Sequence, residues 1–332
     1  MPAVNRTNPR RAKSSESLYS LREFLTEFPD DEACLEYLWR ERYSADGEHA
    51  VCPKCDRERV FRRYTNTKQR RQSWTCTGCG HHVHPTAGTI FEKSSRPLTD
   101  WFYVMYLVSS SRCGVAAKQV ERELGCNYKT AWRMLNKVRN ELMAQDGATP
   151  LTGEVEADET FIGGKPRESY RREVARKGWN MQTAYWDRKA IVFAAVERGG
   201  RIRASVIPNS RQRTLDAKVR EFVIPSSILY TDDFQAYRGI GARGGYTHRR
   251  INHSARVYVQ GDTHTQTVEG FFGHFKNDVR GTHHAISHRW LQGYVNEWVW
   301  KWNHRRDDEA MFRQLLRRAC TVEFDKLAVS GA

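Results

Sequence analysis

The stretch Glu154-Val155-Glu156-Ala157-Asp158-Glu159-Thr160-Phe161-Ile162 decides how the second half of the chain folds. Successive side chains of a strand point to opposite faces, so Glu154, Glu156, Asp158 and Thr160 share one side while Val155, Ala157 and Phe161 pack on the other. Asp158 is the acid of this run best placed to act as a ligand. Downstream, residues 190–197, 201–207, 227–232 and 247–251 also read as strands, with a helix-like run at 212–223 among them. Asp232 ends the run Ser227-Ile228-Leu229-Tyr230-Thr231 in phase with Ile228 and Tyr230, which leaves the adjacent Asp233 as a helix cap or turn residue. Glu269 opens a helix-like run from Val268 to Val279, whose Phe271, Phe272, Phe275 and Val279 supply an apolar face. Lys276 follows close to two helical turns later, about 10 Å along the axis on the same face. Three carboxylates on three rigid elements can clamp a divalent cation, and their oxygens suit Mg²⁺ or Mn²⁺. One such acid alone reads as a surface carboxylate or half of an ion pair, and only the set raises the metal reading. Glu156, Glu159, Asp233 and Asp262 stay open as rival ligands.

Upstream, Cys52-Pro53-Lys54-Cys55 and Cys76-Thr77-Gly78-Cys79 stand 20 residues apart, the spacing of two knuckles that close a tetrahedral four-thiolate zinc site. Cys34, Cys113, Cys126 and Cys320 fall singly in helical runs and read as small core residues. His81, His82 and His84 follow the second knuckle, and with four thiolates present they read as surface or DNA-facing groups. From Val115, the residues Ala116, Val120 and Leu124 form one apolar stripe, Gly125 permits a tight turn, and Ala131, Leu135 and Val138 form a second stripe. The outward residues Asn127, Lys129, Thr130 and Arg133 can meet base edges and phosphates in a major groove. An ordinary helical hairpin fits the same pattern, and the basic face beside a zinc module tilts the reading towards a DNA-binding helix-turn-helix.

The chain has 332 residues, too many for one small core, and its 39% apolar and 11% aromatic content suffices for two or three. Lys and Arg outnumber Asp and Glu by 54 − 39 = 15, spread along the sequence, which favours a polyanionic partner. No run approaches the roughly 20 apolar residues of a membrane span, and Met1 to Lys13 has no apolar signal core, so a cytoplasmic, nucleoid-associated protein is expected. The expected divisions are a basic arm at 1–17, a helical segment at 18–48, a zinc ribbon at 49–92, a helix-turn-helix domain at 93–148, a catalytic domain at 153–285 and a helical tail at 286–332. The loop from Lys165 to Lys189 carries eight basic against three acidic residues, with Trp179, Tyr185 and Trp186 among them. It reads equally as a DNA-tracking loop, with Lys165, Arg171 and Arg172 as contacts, or as a solvated extension.

Ala157-Asp158-Glu159-Thr160-Phe161-Ile162-Gly163-Gly164-Lys165, Tyr230-Thr231-Asp232-Asp233 and His264-Thr265-Gln266-Thr267-Val268-Glu269-Gly270, with Lys276 following, resemble the acidic motifs of bacterial insertion-sequence transposases of the ISXO type. The resemblance continues through Cys76-Thr77-Gly78-Cys79, Thr86-Ala87-Gly88-Thr89-Ile90-Phe91 and Tyr128-Lys129-Thr130-Ala131-Trp132-Arg133, and covers roughly residues 50–305. It implies a multidomain α+β protein with a zinc ribbon, a helix-turn-helix and a ribonuclease-H-like α/β core, a mixed sheet flanked by helices. In that family Asp158, Asp232 and Glu269 would be the ligands of Mg²⁺ or Mn²⁺, with Lys276 as the associated basic residue. Some members carry Asn at the third acidic position, where this chain has Glu. The implied activity is hydrolysis at an element end followed by attack of the freed 3′-hydroxyl on target DNA. Double-stranded DNA is the implied partner and a homodimer or larger assembly the implied form, with His264 a further DNA contact. The competing readings are a domesticated, catalytically silent DNA-binding regulator and a nuclease acting on RNA in hybrids.

Overall fold

The protein is described by a computed structural model over residues 18–64, 73–144, 146, 149–164, 166–181, 184–185, 188–251 and 265–321. The arm read at residues 1–17, together with Lys165, Trp186, His253, Asp262 and His264, lies outside these residues. The chain divides into two compact units, one running through Leu142 and resuming at Arg305, the other spanning Met143–His304.

The first unit begins with two short helices whose starts are written in the sequence. Ser20 and Glu23 form a reciprocal capping box at the start of α1 (Leu21–Glu27). Asp30 accepts from the Ala33 N–H at 2.9 Å to start α2 (Asp31–Arg42), whose acidic first turn and basic last turn match the helix dipole. Buried Trp39 on α2 stacks on Trp74 with ring centroids 4.8 Å apart and planes 8° from parallel, and its Nε1 donates to the Gly47 carbonyl at 2.8 Å. That stack holds α2 on an antiparallel four-stranded sheet, ordered β1 (His49–Cys52), β2 (Arg57–Tyr64), β3 (Ser73–Cys76) and β4 (His82–Val83).

Helix α3 (Leu98–Ser110) follows Pro97, which offers no side-chain cap. Asp31 of α2 serves instead, accepting from the Thr99 N–H at 2.9 Å. Two further helices, α4 (Ala117–Leu124) and α5 (Tyr128–Lys137), join through Gly125, whose φ of 57° is the left-handed conformation that glycine tolerates. The helix Met311–Thr321 closes the unit: Phe312 joins a ring cluster with Tyr19, Phe24, Phe28 and Tyr106, and Arg313 grips Glu27 with two hydrogen bonds of 2.6 Å. Two of the four single cysteines depart from the expected core positions. Cys34 and Cys320 are buried, but Cys113 is exposed after α3 and Cys126 is half-buried in the turn before α5, because both fall where helical periodicity has already stopped.

In the second unit the elements run β5 (Glu154–Ile162), α6 (Glu168–Arg176), β6 (Ala190–Glu197), β7 (Ile202–Ile207), α7 (Gln212–Phe222), β8 (Ile228–Asp232), α8 (Ile240–Gly244), β9 (Thr247–Ile251), α9 (Gln266–Asp278) and α10 (Leu291–His304). The sheet order is β7-β6-β5-β8-β9; β5, β6 and β7 pair antiparallel, while β8 runs parallel to both β5 and β9. Strand alternation puts one apolar set, including Val192, Ala194, Phe271, Phe275 and Val295, between the sheet and α9 with α10. The opposite set, including Val155, Ala157, Leu215, Val219 and Leu229, packs under α7. Among the described residues no helix is long and apolar enough to cross a membrane.

Replacing Trp39 with Ala removes one face of the tryptophan stack from a fully buried site and is expected to destabilise the first unit by about 3–5 kcal/mol. The exposed Leu25→Ala should stay within about 0.5 kcal/mol, and urea denaturation of the two variants side by side checks the contrast.

Candidate functional site

Two sites arise from separate pieces of local geometry. In the first, β1 ends at Cys52 and β3 at Cys76, and each leads into a turn that brings back a second thiol, Cys55 or Cys79. All four sulfurs lie within 4.8 Å of one another, with Cys52 and Cys79 at 3.7 Å. Burial pushes the Cys52 thiol up, yet the backbone N–H groups of Cys55 and Lys54 and the neighbouring thiols outweigh it and bring the group down to about 7. An all-sulfur set this compact fits a closed tetrahedral zinc site. His82 belongs to the sheet instead, its Nδ1 lying 3.0 Å from the Thr75 hydroxyl.

The second site lies on the sheet face covered by α9. In the parallel ladder Glu156 stands opposite Tyr230, and Asp158 and Asp232 each follow two residues later on the same face of neighbouring strands. The Asp158 Oδ1 accepts from the Glu159 N–H at 2.8 Å and the Asp232 Oδ1 from the Phe234 N–H at 3.0 Å. Glu269 sits in the first turn of α9, exposed, with Oε1 accepting from the buried Thr265 hydroxyl at 2.8 Å. Burial pushes the Asp158 carboxyl well above the usual carboxylate range, and Glu159, Asp232 and Glu269 nearby push it the same way. Lys276, on α9, feels the Asp158 charge while burial holds its ammonium below its ordinary value. Asp158, Asp232 and Glu269 all carry hard oxygen donors, the kind that Mg²⁺ or Mn²⁺ takes, but among the described residues the four cysteines alone have their ligand atoms gathered within one metal's reach.

The rival acids separate on geometry. Asp233 is ion-paired to Arg250 at 2.8 Å. Glu159 points to the other side, towards the buried Tyr237 hydroxyl; burial lifts it to about 7, with that hydroxyl opposing and Asp232 adding to the rise. Glu156 is fully buried and bonded to Thr267, Val268 and Arg198. Neither Tyr237 nor Arg198 carried a signal in the sequence, since each acts on a segment dozens of residues away.

Lys129 and Arg133 are exposed on α5. Asn127 is exposed and caps that helix, its Oδ1 accepting from the Thr130 N–H at 2.8 Å; Thr130 is half-buried. Together with Tyr128 these residues line a shallow open depression. Arg171 and Arg172 lie on α6, 3.9 and 3.6 Å from Glu168.

A compact four-cysteine group and an α/β unit with acids on one sheet face thus stand in one basic chain. Residues 150–303 match the ISXO2-like transposase domain, and residues 29–82 match the transposase zinc-ribbon domain. The chain is 30% identical over 251 residues to a protein of Halobacterium salinarum described as an uncharacterized protein in transposable element ISH50, covering 72% of this chain and 77% of that one. An uncharacterized transposase-like protein of Haemophilus influenzae is 28% identical over 114 residues, 34% of this chain and 90% of that one. The chain belongs to the ISXO2-like transposase family.

Cys76→Ser should lower bound zinc from about one ion per chain towards none and unfold the ribbon. Zinc assay together with limited proteolysis, in which fragments of the second unit persist, checks this outcome.

Proposed function

We propose that this protein is a DNA transposase that binds the ends of its element, hydrolyses a phosphodiester there and joins the freed 3′-hydroxyl to target DNA. The observation that carries the reading is the placement of Asp158 and Asp232 at matching positions of parallel strands, on the face covered by the helix that bears Glu269. The order β7-β6-β5-β8-β9, antiparallel on one side and parallel on the other, supports a ribonuclease-H-like catalytic core.

In this reading Asp158, Asp232 and Glu269 hold Mg²⁺ or Mn²⁺, which when bound would activate the attacking oxygen and neutralise phosphate charge. The Asp158 and Asp232 carboxylates are oriented by their hydrogen bonds to the Glu159 and Phe234 N–H groups, and Glu269 by the Thr265 hydroxyl. Lys276 places a cation beside Asp158, where it can meet a DNA phosphate. Helices α4 and α5 act as a helix-turn-helix, with Lys129 and Arg133 as the exposed readers and Asn127 and Thr130 giving part of their capacity to the helix start. Arg171 and Arg172 add phosphate contacts, and Lys165 and His264 are assigned the same role from sequence. Two ends must be cut and joined together, so the working form is a homodimer or larger assembly.

A joining assay with purified protein, Mn²⁺ and linear DNA carrying the sequences that flank the gene tests this reading. Wild type should give nicked and joined products and Asp232→Asn none, whereas cleavage surviving in Asp232→Asn would remove that residue from the site. Specific binding without products from wild type would turn the reading towards a DNA-binding regulator. Arg133→Ala should weaken end binding by about tenfold, or about 1.4 kcal/mol, with thermal stability unchanged, as a mobility-shift titration would measure.

A further inference from the structure

Glu156 is a carboxylate with no exposed surface, and a buried charge persists only where donors replace its water. Four contacts do so. Its Oε2 accepts from the Thr267 N–H at 2.8 Å and the Val268 N–H at 3.2 Å, and its Oε1 from the Thr267 hydroxyl and Arg198 Nε, both at 3.0 Å. A carboxylate has about four lone-pair sites, so these donors leave none for a metal ion. Thr267 and Val268 are the second and third residues of α9, whose own N-cap, Thr265, makes no side-chain cap hydrogen bond. The unmet N–H groups of the helix start, and the positive end of its dipole, are therefore met from β5.

Arg198 extends the cluster. Its Nη1 pairs with Glu154 at 3.0 Å, its backbone N–H donates to the Glu154 carbonyl, and its guanidinium lies 3.8 Å over the Tyr230 ring. One buried acid and one arginine thus touch three segments at a common offset. Asp158 follows Glu156 by two residues, Asp232 follows Tyr230 by two, and Glu269 follows Thr267 by two.

We infer that Glu156, held by Arg198, is the positioning residue that sets Glu269 against Asp158 and Asp232, and is not itself a ligand; the inference rests on the carboxylate reading proposed above. Glu156 fixes the first turn of α9 to the strand that carries Asp158, so the reach of Glu269 is set by backbone bonds. Arg198 carries the same constraint across to β8.

The test uses the full chain with Glu156→Gln, which keeps the shape but turns an NH₂ group towards donors. Amide hydrogen exchange over residues 265–272 should speed up by about tenfold while β6 is unchanged. The dissociation constant for Mn²⁺, followed by electron paramagnetic resonance of the free ion, should rise by about 10-fold or more, with affinity for end DNA unaltered. Thr267→Val, which removes a single hydroxyl donor, should move both readouts the same way by less and decides the matter if Glu156→Gln does not fold. Exchange at the wild-type rate over residues 265–272, or an unchanged Mn²⁺ affinity, overturns the positioning role. Lost Mn²⁺ binding with wild-type exchange identifies Glu156 as a ligand and overturns it as well. Failure of the underlying reading is distinct: wild type would then bind Mn²⁺ no better than Asp232→Asn.

Discussion

Parallel pairing of β5 with β8 is the constraint on which the second unit depends. Parallel neighbours run in the same direction, so residues that follow a matched pair by equal steps stay level, whereas in an antiparallel pair they would move apart. Asp158 stands at the middle of β5 and Asp232 at the end of β8. The register that sets Glu156 beside Tyr230 then brings Asp158 and Asp232 to one level. A parallel connection also demands a crossover, which α7 supplies between β7 and β8, and its Leu215, Val219 and Phe222 cover the face away from the acids. That leaves the acid-bearing face for α9 and α10, whose Phe271, Phe275, Val295 and Trp298 pack in the apolar cluster there.

Electrostatics in this unit run against the protein's average. The chain as a whole carries an excess of 15 positive charges, yet at this edge burial and mutual repulsion raise the Asp158 carboxyl. Lys276 sets one cation beside Asp158, yet burial and the neighbouring acids still raise that carboxyl. A basic exterior of this kind favours a polyanionic partner. The two cysteine knuckles do a different job: they close a small sheet whose apolar core is the Trp39–Trp74 stack with buried Leu38, Phe61 and Val83.

Much of this was legible in the sequence because the determining signals are local. Strands expected at 154–162, 190–197 and 247–251 lie at those positions, the first two carried by an alternating and a continuous apolar run. The choice of phase at Asp232 rested on Ile228 and Tyr230, and the register shows Tyr230 on the face of Glu156 while Asp233 turns to Arg250. What escaped was set by distance. Glu156 read as one acid among several because its partners Thr267 and Val268 lie more than a hundred residues on. Asn127 is exposed as expected, and its added role as the cap of α5 could be recognised only once the helix start was known. Cys113 and Cys126 read as core because they stand in apparently helical runs, and the breaks at the helix ends place them elsewhere.

The helix Met311–Thr321 gives the first unit a history that differs from the second. Residues 143–304 interrupt that unit in sequence, so the ring cluster around Phe312 and the grip of Arg313 on Glu27 form only after the whole acid-bearing sheet has left the ribosome. The ribbon and the helices α3 to α5 must wait, incompletely covered, through the synthesis of 162 further residues. A message cut short after the second unit would therefore yield a chain whose sheet is whole and whose first unit lacks its last wall.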